Sequence, residues 1–146
     1  MSTFPAPMDV IPHRPPFLFV DRCLTCSDDR IVAEYHFTGE EAFFAGHFPG
    51  TPVVPGVILI EGLAQSLAYL ALRECDEDMV VLTGVEADKI RRPVRPGETV
   101  QYSVQVIRKR LKIVVAEGLV EVDGQRVLRA KLKGFVGPPS APQPAE

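Results

Sequence analysis

From Val57 to Arg73 the chain runs without a proline and sets apolar side chains on nearly every face of a helix: Val57, Ile58, Leu59, Ile60, Leu63, Leu67, Leu70 and Leu72. A helix that is apolar all round belongs inside a protein, so the rest of the chain must supply the layers that cover it. Pro55 suits its first position. The remainder is written in strand patterns, with period-2 or β-branched runs at Phe17–Leu24, Arg30–Phe37, Met79–Asp88, Thr99–Arg110, Lys112–Val122 and Arg126–Val136. Asp123-Gly124 is a strong hairpin turn, and Glu40–Ala45 reads as a short extra helix. About six antiparallel strands with one long apolar helix predict a two-layer α+β domain. The 146 residues, 46% of them hydrophobic, suffice for one core. The domain is read as residues 1–136, without internal repeats, and the proline-rich residues 137–146 as a disordered tail.

Glu61 is the anomaly of the apolar helix. A lone ionised carboxylate there costs several kcal/mol or more, so it must be neutral, paired or facing a polar cavity. Gln65 lies at i+4 on the same face, within reach of Glu61 or a shared water, and Tyr69 continues the stripe. Upstream, His47 sits in a loop stiffened by Pro49, Pro52 and Pro55 and turned by Gly46, Gly50 and Gly56, which holds it in one pose. A single buried Glu is more often structural than catalytic, and a lone loop His is ordinary. Together, with a helix start between them, they read as an acid/base site. The first free N–H groups of the helix, at Gly56 and Val57, carry partial positive charge and suit a developing oxyanion.

Charge and cysteines narrow the partners. The first 85 residues hold 4 Lys/Arg against 12 Asp/Glu, whereas residues 86–133 hold 12 against 6. A basic half of this kind suits an acidic partner. Nucleic acid is not expected, because aromatics are not interleaved with the cations and no RNA-binding motif is present. Neither a leader-like N-terminus nor an apolar run of membrane-spanning length is evident, so the expected location is cytoplasmic. Cys23 and Cys26 form a CxxC with no second pair at zinc spacing, and with Cys75 they are read as reduced bystanders. No metal site is expected.

Three segments, IPHRPPFLFVDR (Ile11 to Arg22), FFAGHFPGTPVVPGVILIEGLAQ (ending at Gln65) and RRPVRPGE (Arg91 to Glu98), resemble in order and spacing the signature segments of the FabZ-type (3R)-hydroxyacyl-acyl-carrier-protein dehydratases. The resemblance covers roughly residues 9 to 136. It implies the hot-dog fold, a curved sheet wrapped around the helix, and a dyad of His47 and Glu61, with the Gly56 amide polarising the thioester carbonyl. Phe48, Val57 and Gln65 would join Gly56 in binding substrate. A sister dehydratase/isomerase family carries aspartate at the glutamate position, so Glu61 favours the plain dehydratase. The resemblance also implies an acyl carrier protein as partner and sites formed across a homodimer interface, with dimers able to associate into hexamers; acid/base chemistry of this kind requires no cofactor. Lys89, Arg91, Arg92 and Arg95 are the expected carrier-docking residues. Departures from the family pattern fall at Gly62, where alanine is usual, at Leu67, Ala68 and Tyr69, and at Ile90, where an aromatic is common; Leu67, Tyr69 and Ile90 are expected to line the acyl tunnel.

The chemistry agrees with these residue types. Dehydrating a 3-hydroxyacyl thioester takes a proton from C2 and gives one to the hydroxyl leaving C3, so a base and an acid must flank adjacent carbons. His47 suits the base and Glu61 the acid, directly or through a water held with Gln65. The rival readings are a hot-dog thioesterase and a non-catalytic hot-dog subunit.

Overall fold

The computed structural model describes residues 3–75 and 79–137. Among the described residues six strands form one antiparallel sheet: β1 (Arg22–Cys26), β2 (Arg30–His36), β3 (Val80–Ala87), β4 (Thr99–Arg110), β5 (Ile113–Val122) and β6 (Gln125–Val136), in the order β1-β2-β4-β5-β6-β3. The one α-helix among the described residues, α1 (Gly56–Leu72), packs against β2 through β6. Its all-round apolar surface is what lets the sheet curl about it: Leu59, Leu63, Leu67, Leu70 and Leu72 are all buried. β1 and β3 are the edges of the sheet.

The β5–β6 hairpin turns at Asp123-Gly124, both with positive φ (50° and 78°), as the dipeptide predicts. β4 and β5 join through a second two-residue turn, Leu111-Lys112, so β5 begins at Ile113, one residue later than expected. Pro55 stands just before the helix rather than at its first position, with extended backbone (φ −58°, ψ 136°). The expected short helix at Glu40–Ala45 is a 3-10 turn, Ala42–Ala45. All but the first residue of the expected tail lies outside the described residues.

The first strand departs furthest from expectation. Phe17–Leu24 reads as a strand, yet β1 begins only at Arg22. The backbone of Phe17 and Phe19 is bonded to a helix side chain instead: Phe19 N–H donates to Gln65 Oε1 (2.7 Å), and Gln65 Nε2 donates to the Phe17 carbonyl (3.1 Å). The run is apolar because it is a strap over α1, with Phe19 and Val20 each 2% exposed. Its rings join a cluster in which Phe19 meets Tyr35 and Phe43 (5.8 and 6.1 Å between centroids) and Phe37 meets Phe43 and Phe44. That cluster anchors the 3-10 turn from which the His47 loop departs.

Halfway along α1, Gly62 lets a strand side chain come unusually close. A Cβ there would lie 2.1 Å from the Tyr102 hydroxyl oxygen and 2.2 Å from its Cζ. Tyr102 on β4 is fully buried, so the missing methyl group is the space its ring occupies.

Candidate active site

The loop residues 46–55 fold back on themselves through Val53 N–H to the His47 carbonyl (2.9 Å) and Thr51 N–H to the Phe48 carbonyl (2.9 Å), and are tied to the RRPVRPGE segment by Val54 N–H to the Val94 carbonyl (2.8 Å). The His47-Phe48 peptide is cis. His47 Nδ1 lies 2.9 Å from the Val53 carbonyl. A carbonyl only accepts, so Nδ1 carries the proton of the neutral ring and Nε2 is left with a lone pair, the tautomer a base needs. Phe48 stacks on the imidazole at 4.1 Å between centroids while remaining 53% exposed.

His47 opens into a cavity of about 330 Å³ that it shares with Val53, Gly56, Leu59, Ile90 and Arg91, among others. Gly56 begins α1, and Ile58 supplies the first helical N–H to turn back, to the Pro55 carbonyl (2.9 Å). The Gly56 and Val57 amides precede it at the positive end of the helix dipole. Ile90 covers this end closely: a Cβ on Gly56 would stand 2.5 Å from Ile90 Cδ1.

Glu61 lies five residues further, which at about 100° per residue is roughly 140° around the helix from Gly56. It opens into a different cavity, about 260 Å³, lined by His13, Ala64, Leu67, Val80, Val81, Leu82 and Gly134. Among the described residues none lines both cavities. Within one chain, therefore, the structure does not bring His47 and Glu61 together.

Glu61 Oε2 accepts a hydrogen bond from Gln65 Nε2 (2.9 Å) and lies 3.7 Å from His13 Nε2. Gln65 is fully buried and spends its amide on the Phe17 carbonyl, the Phe19 N–H and Glu61. It was expected to bind substrate; here it lies behind Glu61 and fixes it. Tyr69, expected in the tunnel, is also in the core, its hydroxyl donating to the Pro5 carbonyl (2.7 Å), and lines neither cavity. Leu67 lines the Glu61 cavity and Ile90 the His47 cavity.

His13 is the residue that sequence reasoning passed over. It stood in the IPHRPPF string without a role, and only the fold lays it beside Glu61. Arg14 folds that loop by donating to the Ile11 and His13 carbonyls (2.9 and 2.7 Å). Burial lowers the His13 pKa below 6.5; the Glu61 carboxylate pulls the other way and Arg14 adds to the lowering.

Of the four expected docking cations, Lys89, Arg91 and Arg95 are exposed. Arg92 is half-buried and committed elsewhere, bonded to Glu98 and to the Pro93 carbonyl. Burial alone would raise the Glu98 carboxyl, but the Arg95 N–H and the Arg92 guanidinium hold it below the usual range. Cys23, Cys26 and Cys75 are all thiols, and burial pushes Cys23 up to about 12. Among the described residues no cluster of three or more His, Cys, Asp or Glu side chains is placed to hold a metal, and no helix is long and apolar enough to cross a membrane.

A family model described as FabA-like domain matches residues 11–131. The curated 3-hydroxyacyl-[acyl-carrier-protein] dehydratase FabZ of Anaeromyxobacter sp. (strain Fw109-5) is 42% identical over 128 residues, covering 83% of this chain and 81% of the relative. The chain belongs to the FabZ family. The FabZ of Petrotoga mobilis agrees, at 35% identity over 86% of this chain and 91% of the relative. Among solved structures, the dehydratase heterocomplex ApeI:P from Xenorhabdus doucetiae superposes on this FabZ-type chain with a TM-score of 0.81 at 15% identity, over 94% of each chain. The fold is the hot-dog fold.

Proposed function

We propose that this FabZ-type chain is a (3R)-hydroxyacyl-[acyl-carrier-protein] dehydratase, a hydro-lyase of fatty-acid or related acyl-chain biosynthesis, whose active site is completed by a second copy of the chain. The observation that carries the second part is the placement of two half-sites at opposite ends of an edge strand. Val80, Val81 and Leu82, at the start of β3, line the Glu61 cavity, whereas Ile90 and Arg91, just beyond its end, line the His47 cavity. β3 has its outer edge unmatched among the described strands and exposes Leu82 and Val85. Such an edge invites another strand. Antiparallel pairing of β3 with its own two-fold copy sets the start of one strand beside the end of the other, and so Glu61 of one subunit beside His47 of its partner. Two equivalent sites result, and the dimer is the smallest active unit; trimers of such dimers keep each site intact.

The reaction then divides between the subunits. His47 Nε2 takes the C2 proton, the C2–H electrons form the C2–C3 double bond, and the C3–O bond breaks as Glu61 protonates the departing hydroxyl to water. Gln65 occupies Oε2 of Glu61, which leaves Oε1 for the substrate hydroxyl. The Gly56 amide, with Val57 beside it, stabilises enolate character on the thioester oxygen; Phe48 flanks the base; Leu67 and Ile90 line the acyl path. The exposed Lys89, Arg91 and Arg95 suit an acidic carrier protein at the His47 mouth. Three thiols suit a reducing compartment, and the cytoplasm is the location proposed.

The test is turnover of a 3-hydroxyacyl carrier-protein substrate by the purified protein. The expected result is growth of the conjugated enoyl-thioester absorbance with no thiol released. Thiol release without a conjugated product would mean a thioesterase, and no turnover of either kind a non-catalytic subunit.

A further inference from the structure

The tip of the β4–β5 hairpin breaks two local rules at once. Leu111 is 90% exposed and holds φ at 55°. It is the first central residue of the two-residue turn, a position that glycine fills readily and a γ-branched residue does not. It therefore carries backbone strain and exposed apolar surface together. Around it, Arg108, Lys109, Arg110 and Lys112 are exposed, as is half of Ile107, and the chain contains no acidic residue between Glu98 and Glu117. A locally unfavourable choice without a gain inside the fold points to use by a partner.

The tip stands at the Glu61 end of the sheet. The Lys112 carbonyl accepts the Val136 N–H (2.8 Å), Val136 pairs with Val80, and Val80 lines the Glu61 cavity. From Arg108 a groove of about 330 Å³ runs across the sheet, with Gly84, Val85, Val115 and Leu132 between Lys131 and Lys133; Glu86 is its one carboxylate. An apolar floor between cationic walls fits a folded protein that offers carboxylates and a few apolar side chains, and a flat lipid surface would not enter it.

We infer that Leu111 is an apolar pin for the acyl carrier protein, with Arg108, Lys109, Arg110 and Lys112 receiving its acidic surface. This deepens the dehydratase reading and rests on it for the partner's identity. The pin acts on docking alone: it touches neither half-site.

Leu111→Gly separates the possibilities, because glycine accepts the backbone conformation and the variant should fold with an equal or higher Tm. Kd for acyl carrier protein and KM for carrier-linked 3-hydroxyacyl substrate should both rise about tenfold, the scale of an apolar anchor, while kinetics with the small pantetheine thioester stay within about twofold of wild type, since that substrate has no surface to dock. Equal carrier Kd for variant and wild type overturns the inference, and so does an equal loss on both substrates. Wild-type binding to phosphatidylglycerol vesicles that Leu111→Gly abolishes, with carrier Kd unchanged, would assign the tip to a membrane instead; a changed oligomeric state by light scattering would assign it to assembly. Carrier binding is measured apart from turnover, so inactive wild-type protein would count against the dehydratase reading and leave the docking result standing.

Discussion

Gly62→Ala gives opposite signs by two arguments, and the structure decides between them. Alanine is the better helix former by about 1 kcal/mol, so propensity alone predicts a more stable protein. The contact predicts the reverse. The new Cβ would lie 2.1, 2.2 and 2.4 Å from Oη, Cζ and Cε1 of Tyr102, against ordinary contacts near ~3.5 Å, so roughly 1.5 Å of movement is required. Tyr102 offers little: its ring is rigid, its exposure is 0%, and β4 is bonded to β2 and β5 on either side, with Ala33 and Val120 opposite residue 102. Overpacking of this kind costs about 1–3 kcal/mol and occasionally more. Three close contacts to an immobile ring put it at the upper end, for a net loss of about 2 kcal/mol. In a domain of this size that lowers Tm by about 4–8 °C. The assay is thermal unfolding by circular dichroism, run with Tyr102→Leu and the double variant. The double variant should recover most of the loss, whereas Gly62→Ala with Tyr102→Phe should not, because Cζ and Cε1 remain. A Gly62→Ala protein with raised Tm would refute the packing argument outright.

Other expectations follow from the same contacts. Tyr102→Phe alone should leave Tm unchanged or raise it in the same thermal scan, since the buried hydroxyl has no hydrogen-bond partner among the described residues and such a group carries a desolvation cost. Gln65→Met should cost about 2–6 kcal/mol in urea unfolding, because it strands the Phe17 carbonyl and the Phe19 N–H at about 1–3 kcal/mol each, and should also lower kcat by freeing Glu61. His13 binds its proton less tightly folded than unfolded, so the unfolded chain gains the proton first as pH falls; stability should be lost below about pH 6.5 and down to the folded pKa. Urea midpoints at pH 7.5 and 5.5 should show a smaller drop for His13→Gln than for wild type.

Much of this architecture was legible because single physical rules govern it. The α1 pattern leaves almost no face for solvent, although Val57 in its first turn is 71% exposed; Asp123-Gly124 requires positive φ, and period-2 runs located five of the six strands to within a residue or two. Glu61, Gln65 and Tyr69 share one helical face, as their spacing requires, but the fold gives the three different surroundings. Spacing along a helix says which side chains point together, not what lies over them. Here the Phe17–Phe19 strap closes over Gln65 and Pro5 caps Tyr69, leaving Glu61 as the member that reaches a cavity. The same strap explains the misplaced first strand: an apolar run is buried alike by a sheet or by a helix side chain, and hydropathy does not distinguish them. His13 was invisible for a related reason, since its partner lies 48 residues away and only the tertiary fold joins them.

The division of the active site between two subunits is tested most directly by complementation. His47→Ala and Glu61→Gln should each lower dehydration by about 100-fold or more, as loss of one of two coupled proton transfers does, with the fold intact by circular dichroism. Mixed in equal amounts under proven subunit exchange, half the dimers are mixed, and each of these holds one site with both groups and one with neither. Recovery of about a quarter of wild-type activity is the predicted result. Exchange without recovery would contradict it and require His47 and Glu61 to act within one chain.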